Sequence, residues 1–302
     1  MQRTVLVAGR KVKLTNLEKE FWPESGLRKA DLVAYFHQVA DYLLPHLRGR
    51  PLVVTRYPDG VAGKSFYQKN LPEHTPDWVA RVAIFSEHSD RTINYCLVEE
   101  AATLVWLGNQ GGIELHPWFS RINSLDKPDL AVIDLDPAPP AGFEEARQTA
   151  LLVKKLLDKI GLKGFPKTSG ATGIHIMIPV QPLYEYDLVR LVMERIGAVL
   201  LRTVPDLVTM ERQVNKRNGK VYIDYLQNIR GKTVVSAYSP RPLPGAPVST
   251  PCTWEEVGHI QPQAWNIRSV IDRLKQQGDP HADIMANQQR LEMAQKALGI
   301  KI

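Results

Sequence analysis

Leu130-Ala131-Val132-Ile133-Asp134-Leu135-Asp136-Pro137 is the stretch on which the reading of this chain turns. Four apolar residues lead into an alternation, and Pro137 closes it because proline cannot donate to a strand ladder. Strand side chains alternate faces, so Ile133 and Leu135 point into a core while Asp134 and Asp136 share the other face. Two carboxylates about 7 Å apart on one face repel each other. Either they end a strand in solvent, or they lie beside a cation, for which hard oxygen ligands select magnesium or manganese.

Working outward, residues 138–142 read as loop and 143–160 as a helix. Ala146, Ala150, Val153, Leu157 and Ile160 form its apolar stripe, and Gly161 stops it. Residues 165–180 read as strand, turn, strand, and 186–201 as a second helix. Residues 221–226 read as a strand after Asn218-Gly219, a strong hairpin signal. Towards the N-terminus, 4–14 alternates as a strand or hairpin, and 17–22 suggests one helical turn. A helix from Lys29 carries Leu32, Phe36, Val39 and Leu43 and is expected to end before Pro45. Strands are predicted at 51–57 and 114–118, loop at 67–76, a polar turn between strands at 86–91 and a short helix at 99–108. A proline-rich segment spans 240–251, and the tail from Trp265 reads as helical with a break near Gly278. Strands and helices alternate only in the middle, which predicts an α+β fold of mixed sheets rather than a doubly wound one.

The chain has 302 residues, 44% of them apolar, and a formal charge of +6, a balance that suits a polyanionic partner such as nucleic acid. Cys96 and Cys252 have no partners at metal-ligand spacing, which argues against zinc and suits a reducing cytoplasm. The N-terminus has no apolar signal core, and no apolar run approaches the roughly 20 residues that span a bilayer, so no membrane is expected.

Three further segments bear on chemistry. In Tyr222-Ile223-Asp224-Tyr225-Leu226 one acid sits inside an apolar strand, paired to an arginine or serving as a third metal ligand. In Thr168-Ser169-Gly170-Ala171-Thr172-Gly173-Ile174-His175-Ile176 the glycines would let backbone amides approach phosphate, with Ser169 as a hydroxyl donor and His175 opposite the apolar face. A plain hairpin turn with a surface histidine is the simpler reading. Residues 211–220 carry Arg212, Lys216, Arg217 and Lys220, either a solvated loop or a mobile basic loop holding phosphates or a DNA terminus.

Together with Leu14-Thr15-Asn16-Leu17-Glu18-Lys19, Phe66-Tyr67-Gln68-Lys69-Asn70, Glu114-Leu115-His116-Pro117-Trp118 and Ser239-Pro240-Arg241-Pro242, these segments resemble the polymerase domain of bacterial ligase D. That family lies in the archaeo-eukaryotic primase superfamily. The motifs run in family order over nearly the whole chain. The resemblance implies a primase-polymerase-like α+β fold, with mixed and antiparallel central sheets flanked by helices. It implies a single domain over 1–302, with about 1–60 and the helices of about 265–302 packing on a catalytic core. It implies a template-directed polymerase that extends DNA ends and fills gaps in non-homologous end joining and prefers ribonucleotides.

By the same resemblance, Asp134, Asp136 and Asp224 hold two ions of manganese or magnesium. Ser169, His175, Arg241 and Lys232 bind the nucleoside triphosphate, and His116 senses the sugar. Asn16, Lys19 and Lys29 grip the 5′-phosphate of gapped DNA. Phe66 and Tyr67, where the family tends to have two phenylalanines, stack at the template. Arg217 is a mobile-loop arginine that places primer ends or metal. Ku and an ATP-dependent DNA ligase are the implied partners, in a nucleoid-associated cytoplasmic setting. No Lys-x-Asp-Gly ligase motif occurs, so a free-standing polymerase or a domain of a longer chain is expected. The competing expectations are a non-catalytic DNA-end binding module and a metal-dependent phosphodiesterase.

Overall fold

A computed structural model describes residues 2–301 as a mixed α+β chain that divides into two compact units. The first holds the chain up to Asn123, with Thr233–Ser249 and Trp265–Gly278; the second holds Ser124–Lys232, Thr250–Ala264 and the chain from Asp279. Residues 2–60 thus lie wholly in the first unit, and the C-terminal region from 265 divides between the two.

The first unit opens with a hairpin of β1 (Gln2–Val7) and β2 (Arg10–Thr15), joined through Ala8 and Gly9, both at positive φ. That is the turn geometry whose twist matches paired strands. Instead of a helical turn at 17–22, strand β3 (Glu20–Trp22) pairs with β4 (Leu27–Arg28). Phe21 and Trp22 are both buried, and core burial outweighs a helix too short to nucleate. Helix α1 (Lys29–Gln38) buries the expected Leu32 and Phe36. A second helix, α2 (Ala40–Leu47), then runs through Pro45 rather than stopping before it. Pro45 falls in the last turn, and the buried Leu43, Leu44 and Leu47 hold the helix in spite of it.

Strand β5 (Leu52–Arg56) organises the larger sheet of this unit. It pairs with β6 (Phe66–Gln68), a strand that takes in the start of the 67–76 segment expected to be loop. The sheet continues through β7 (Arg81–Ser86) and β8 (Arg91–Cys96). Helix α3 (Ala101–Asn109) is buried almost all round, and β9 (Gly112–Pro117) follows it to pair with β5.

In the second unit, β10 (Leu130–Pro137), β11 (Phe165–Thr168), β12 (Ile174–Pro179), β13 (Val208–Thr209) and β14 (Val221–Asp224) form a five-stranded sheet in the order β11-β12-β10-β14-β13. Helices α4 (Phe143–Ile160) and α5 (Tyr186–Thr203) pack side by side on the face carrying Leu135 and Ile223. Gly197 of α5 lies close enough to Ile223 that a Cβ would sit 3.4 Å from its methyl. Gly161, at φ 76°, ends α4 as expected. Asn218-Gly219 does adopt two positive φ values, but it closes no hairpin: β13 and β14 are parallel, and β14 pairs antiparallel with β10. Among the described residues no helix is long and apolar enough to cross a membrane. Cys96 and Cys252 are both buried thiols.

Candidate functional site

On the face of the second sheet away from α4 and α5, strand register alone assembles a row. Lys167 on β11 opposes His175 on β12, His175 opposes Asp134 on β10, and Asp134 opposes Asp224 on β14. Asp136 lies two residues on from Asp134, on the same face, opposite Tyr222. The three acids expected from sequence are therefore brought together across two adjacent strands.

Their side chains are held by named partners. Lys167, only 1% exposed, places Nζ 2.9 Å from Nδ1 of His175. Nε2 of the same ring lies 3.4 Å from Oδ1 of Asp134. His175 is thus a buried histidine between an amine and a carboxylate, not a surface one. Arg217 is buried and donates from Nη1 to Oδ2 of Asp136 at 2.7 Å, with its guanidinium 4.1 Å above the Tyr222 ring. Asp224 accepts from the backbone of Leu226 at 2.9 Å and from Gln227 Nε2 at 2.8 Å. The Leu226 contact is an Asx turn, and it ends β14 at Asp224, two residues earlier than expected. Burial first, then the charge of Asp224 and its acceptance of the hydroxyl, push the Tyr222 phenol well above its ordinary value.

Two devices fix this framework. Asn228, fully buried, accepts from the backbone N–H of Val132 at 2.9 Å and donates to its carbonyl at 2.8 Å. One side chain thereby pairs β10 beyond the point where β14 stops. At Gly173 an added Cβ would lie 2.3 Å from the carbonyl oxygen of Leu135, so only glycine lets the turn lie against β10. Within that turn the hydroxyl oxygen of Ser169 accepts from the amides of Ala171 at 3.2 Å and Gly173 at 3.0 Å. Lys232 is exposed in the turn after Asn228, and its backbone N–H donates to Ile229.

Tested against a divalent cation, the donor chemistry fits: three carboxylates share one face, and hard oxygen ligands suit magnesium or manganese. The rotamers answer to protein partners instead. Among the described residues no group of three or more His, Cys, Asp or Glu side chains converges to hold a metal, because Arg217 draws Asp136 and Gln227 draws Asp224.

The first unit has its own cluster. Register puts Tyr67 on β6 opposite Thr55 on β5, and Thr55 opposite Glu114 on β9. Buried His116 lies two residues from Glu114 on the same face, with Nε2 3.2 Å from the Thr55 hydroxyl and 3.9 Å from Oε2 of Glu114. Arg241 is ion-paired to the other carboxylate oxygen, Nε to Oε1 2.9 Å. Burial alone would raise the Glu114 carboxyl, but His116, Arg241 and Thr55 outweigh it and hold it below its usual range. Burial and the Glu114 charge push the Tyr57 phenol up to about 12.

Phe66 and Tyr67 do not form one aromatic pair. Neighbours on a strand, they face opposite sides. Tyr67 meets the His116 ring at 5.5 Å between centroids, whereas Phe66 lies under the Arg56 guanidinium at 5.3 Å.

Asn16, Lys19 and Lys29 do come together, in a turn where Asn16 adopts φ 53° and its carbonyl accepts from the Lys19 amide. Lys29 Nζ donates to the Thr15 carbonyl at 2.7 Å, and Lys19 Nζ pairs with Asp59 at 2.6 Å. Burial, then the charges of Lys19 and Arg56, lower Lys29 to about 8. Arg56 is a third cation here that sequence reasoning missed. Lys167 was missed too, though a hairpin centred on Ala171 pairs 167 with 175. Glu114 could have been found from its position two residues before His116.

The family profile described as LigD, primase-polymerase domain, matches residues 28–281. The Bacillus subtilis bifunctional non-homologous end joining protein LigD is 38% identical over 281 residues, which cover 92% of this chain and 45% of that protein. The Pseudomonas aeruginosa multifunctional LigD is 32% identical, over 94% of this chain and 34% of its own length. The chain thus spans less than half the length of these curated relatives. The solved polymerase domain of Mycobacterium tuberculosis ligase D in complex with DNA superposes with a TM-score of 0.84 at 29% identity, covering 92% of this chain and 99% of that one.

Proposed function

The chain belongs to the LigD primase-polymerase domain family, and we propose that it is the nucleotidyltransferase of an end-joining system. It adds nucleotides, by preference ribonucleotides, to DNA 3′ ends under template direction and fills gaps during double-strand break repair. The observation that carries this reading is the row Lys167, His175, Asp134, Asp224, with Asp136 beside it on one sheet face.

Asp134, Asp136 and Asp224 would hold manganese or magnesium, in a pair. Such cations, when bound, lower the pKa of an attacking 3′-hydroxyl and stabilise a leaving pyrophosphate. The chain's own residues do the positioning. Lys167 holds the His175 ring against Asp134, and the Ser169 turn, pressed to β10 by Gly173, would offer its hydroxyl to a phosphate oxygen. Arg217 neutralises Asp136 and gives it up to a cation or primer end. Lys232 adds a cation for the triphosphate. In the first unit, Arg241 and His116 serve the nucleotide, His116 at the sugar, and Asn16, Lys19 and Lys29 grip a downstream 5′-phosphate. DNA is the polymer partner; the Ku and ligase partners follow from the family.

The deciding experiment is incubation with manganese, a gapped primer–template and labelled ribonucleotides, repeated with deoxyribonucleotides. Extension, stronger with ribonucleotides, is expected. Shortening of the primer would mean a phosphodiesterase, and binding without either change a non-catalytic module.

The pH response of the phosphate grip follows from Lys29. Its value near 8 means that the free pocket loses charge as pH rises through 8, not near the ordinary lysine value. The preference for 5′-phosphate over 5′-hydroxyl ends should fall by up to about tenfold per pH unit above that point. A titration of binding from pH 7 to 9.5 checks it; a flat preference removes Lys29 from the pocket. Stability has the opposite sign. The folded state binds fewer protons than the unfolded chain above pH 8, so this residue's contribution rises with pH there.

The opposed faces of Phe66 and Tyr67 separate their roles. Phe66→Ala should weaken DNA binding, by about 1–3 kcal/mol if the ring stacks on a base. Tyr67→Ala should raise the nucleotide KM, and the two effects should add. Strong coupling between them would mean a shared contact.

A further inference from the structure

The β1–β2 hairpin has a face that no role so far uses. Its register places Thr4 opposite Lys13 and Leu6 opposite Lys11 on one side, and Val5 opposite Val12 and Arg3 opposite Leu14 on the other. Val12 and Leu14 are buried, whereas Lys11 and Lys13 are exposed. No acid occurs before Glu18, while Arg3, Arg10, Lys11 and Lys13 all do. Most of this hairpin's charge is therefore uncompensated within its own strands; Arg10 is answered by Glu100.

The end of β2 is also anchored. Buried Asn109 accepts from the Thr15 amide at 2.9 Å and donates to the Lys13 carbonyl at 3.1 Å, tying this strand to the end of α3. The Thr15 carbonyl in turn accepts from Lys29 Nζ at 2.7 Å. Lys11, Lys13 and Thr15 follow one another on a single face, with steps of about 6.6–6.8 Å along the strand. That step is close to the distance between phosphates of neighbouring nucleotides in an extended strand. A line of positive charge thus runs outward from Lys29 along a strand held at its end by Asn109.

We propose that the outer face of β1–β2 is a track for the downstream nucleic-acid strand, with Lys13 on its second phosphate and Lys11 on its third, counted from the 5′ end. The proposal rests on the reading of Lys19 and Lys29 as the grip on the first phosphate. Its effect is to make binding depend on the duplex beyond the gap and not only on the terminal phosphate.

The experiment compares the parent, a Lys11→Gln, Lys13→Gln double variant and Lys29→Gln. Each is titrated with gapped DNA whose downstream strand carries either ordinary linkages or neutral methylphosphonates at the second and third phosphates. Both lysines are exposed, so the double variant should fold as the parent does. On ordinary DNA its plot of log affinity against log salt should be shallower by about 2, as two phosphate contacts require. On methylphosphonate DNA parent and double variant should bind alike, and the preference for a 5′-phosphate should survive in the double variant. An equal loss on both DNAs would mean diffuse attraction and overturn the track, as would an unchanged slope. Lys29→Gln reports separately: if it keeps the full 5′-phosphate preference, the grip itself is misassigned, whatever the methylphosphonate comparison gives.

Discussion

Asp134→Asn should lower primer extension by about three orders of magnitude or more, a loss of the size seen when one transition-state stabiliser is removed. Asp134 stands in the middle of the row, opposite both His175 and Asp224, so it is the acid that the other groups share. Asparagine keeps the shape and removes the charge. DNA binding should stay near the parent's or tighten slightly, since a negative charge is lost. With manganese the parent's melting temperature should rise, as for any ligand bound only by the folded state, and the variant's should rise less. Asp136→Asn should share the loss of extension while releasing Arg217. Extension at parental rates in both variants, with the manganese shift intact, would sink the assignment.

Replacing Glu114 should have the second-largest effect, through two residues at once. Its carboxylate holds Arg241 at 2.9 Å and faces His116 at 3.9 Å, in a buried setting. Glu114→Gln keeps the volume and loses the charge. The nucleotide KM should rise about tenfold or more, the worth of one charge-assisted contact, and the preference for ribonucleotides should fall with it. Glu114→Ala takes this counter-charge from the partly buried Arg241 guanidinium and should cost about 1–3 kcal/mol of stability. The acid dependence has a definite sign. The folded carboxyl lies below its ordinary value, so its stabilisation is present above about pH 4.5 and fades as pH falls through the lower folded value. A Glu114→Gln enzyme with parental KM and parental sugar preference would reduce this carboxylate to a packing element.

How much of this was legible in the sequence depends on the range of the forces involved. The strand Leu130–Pro137 and helices α4 and α5 carry their periodicity locally, so their burial could be read from spacing. Sharing a face between Asp134 and Asp136 follows from the strand pleat alone. The position of Asp224 opposite Asp134 does not, because pairing between strands nearly ninety residues apart is set by the whole sheet. Asn218-Gly219 shows the limit of local signals. Its dihedrals are those of a hairpin turn, but the strand that follows finds β10, a better-buried partner. Arg217 reads as one cation of a solvated run and is drawn inward by a carboxylate eighty-one positions away. Phe66 and Tyr67 read as a pair because they are adjacent, and the pleat that parts them appears only once 66–68 is seen as strand.

Asn228 carries a consequence for solubility. Where β14 ends, the next stretch of β10 would present a bare N–H and C=O at Val132, the kind of open edge that recruits strands from other molecules. The amide of Asn228 plugs that edge by imitating one residue of a neighbouring strand. The residue that pairs β10 two positions before Asp134 is in this sense also a guard against self-association, a liability felt most during synthesis and refolding, when the sheet is still incomplete.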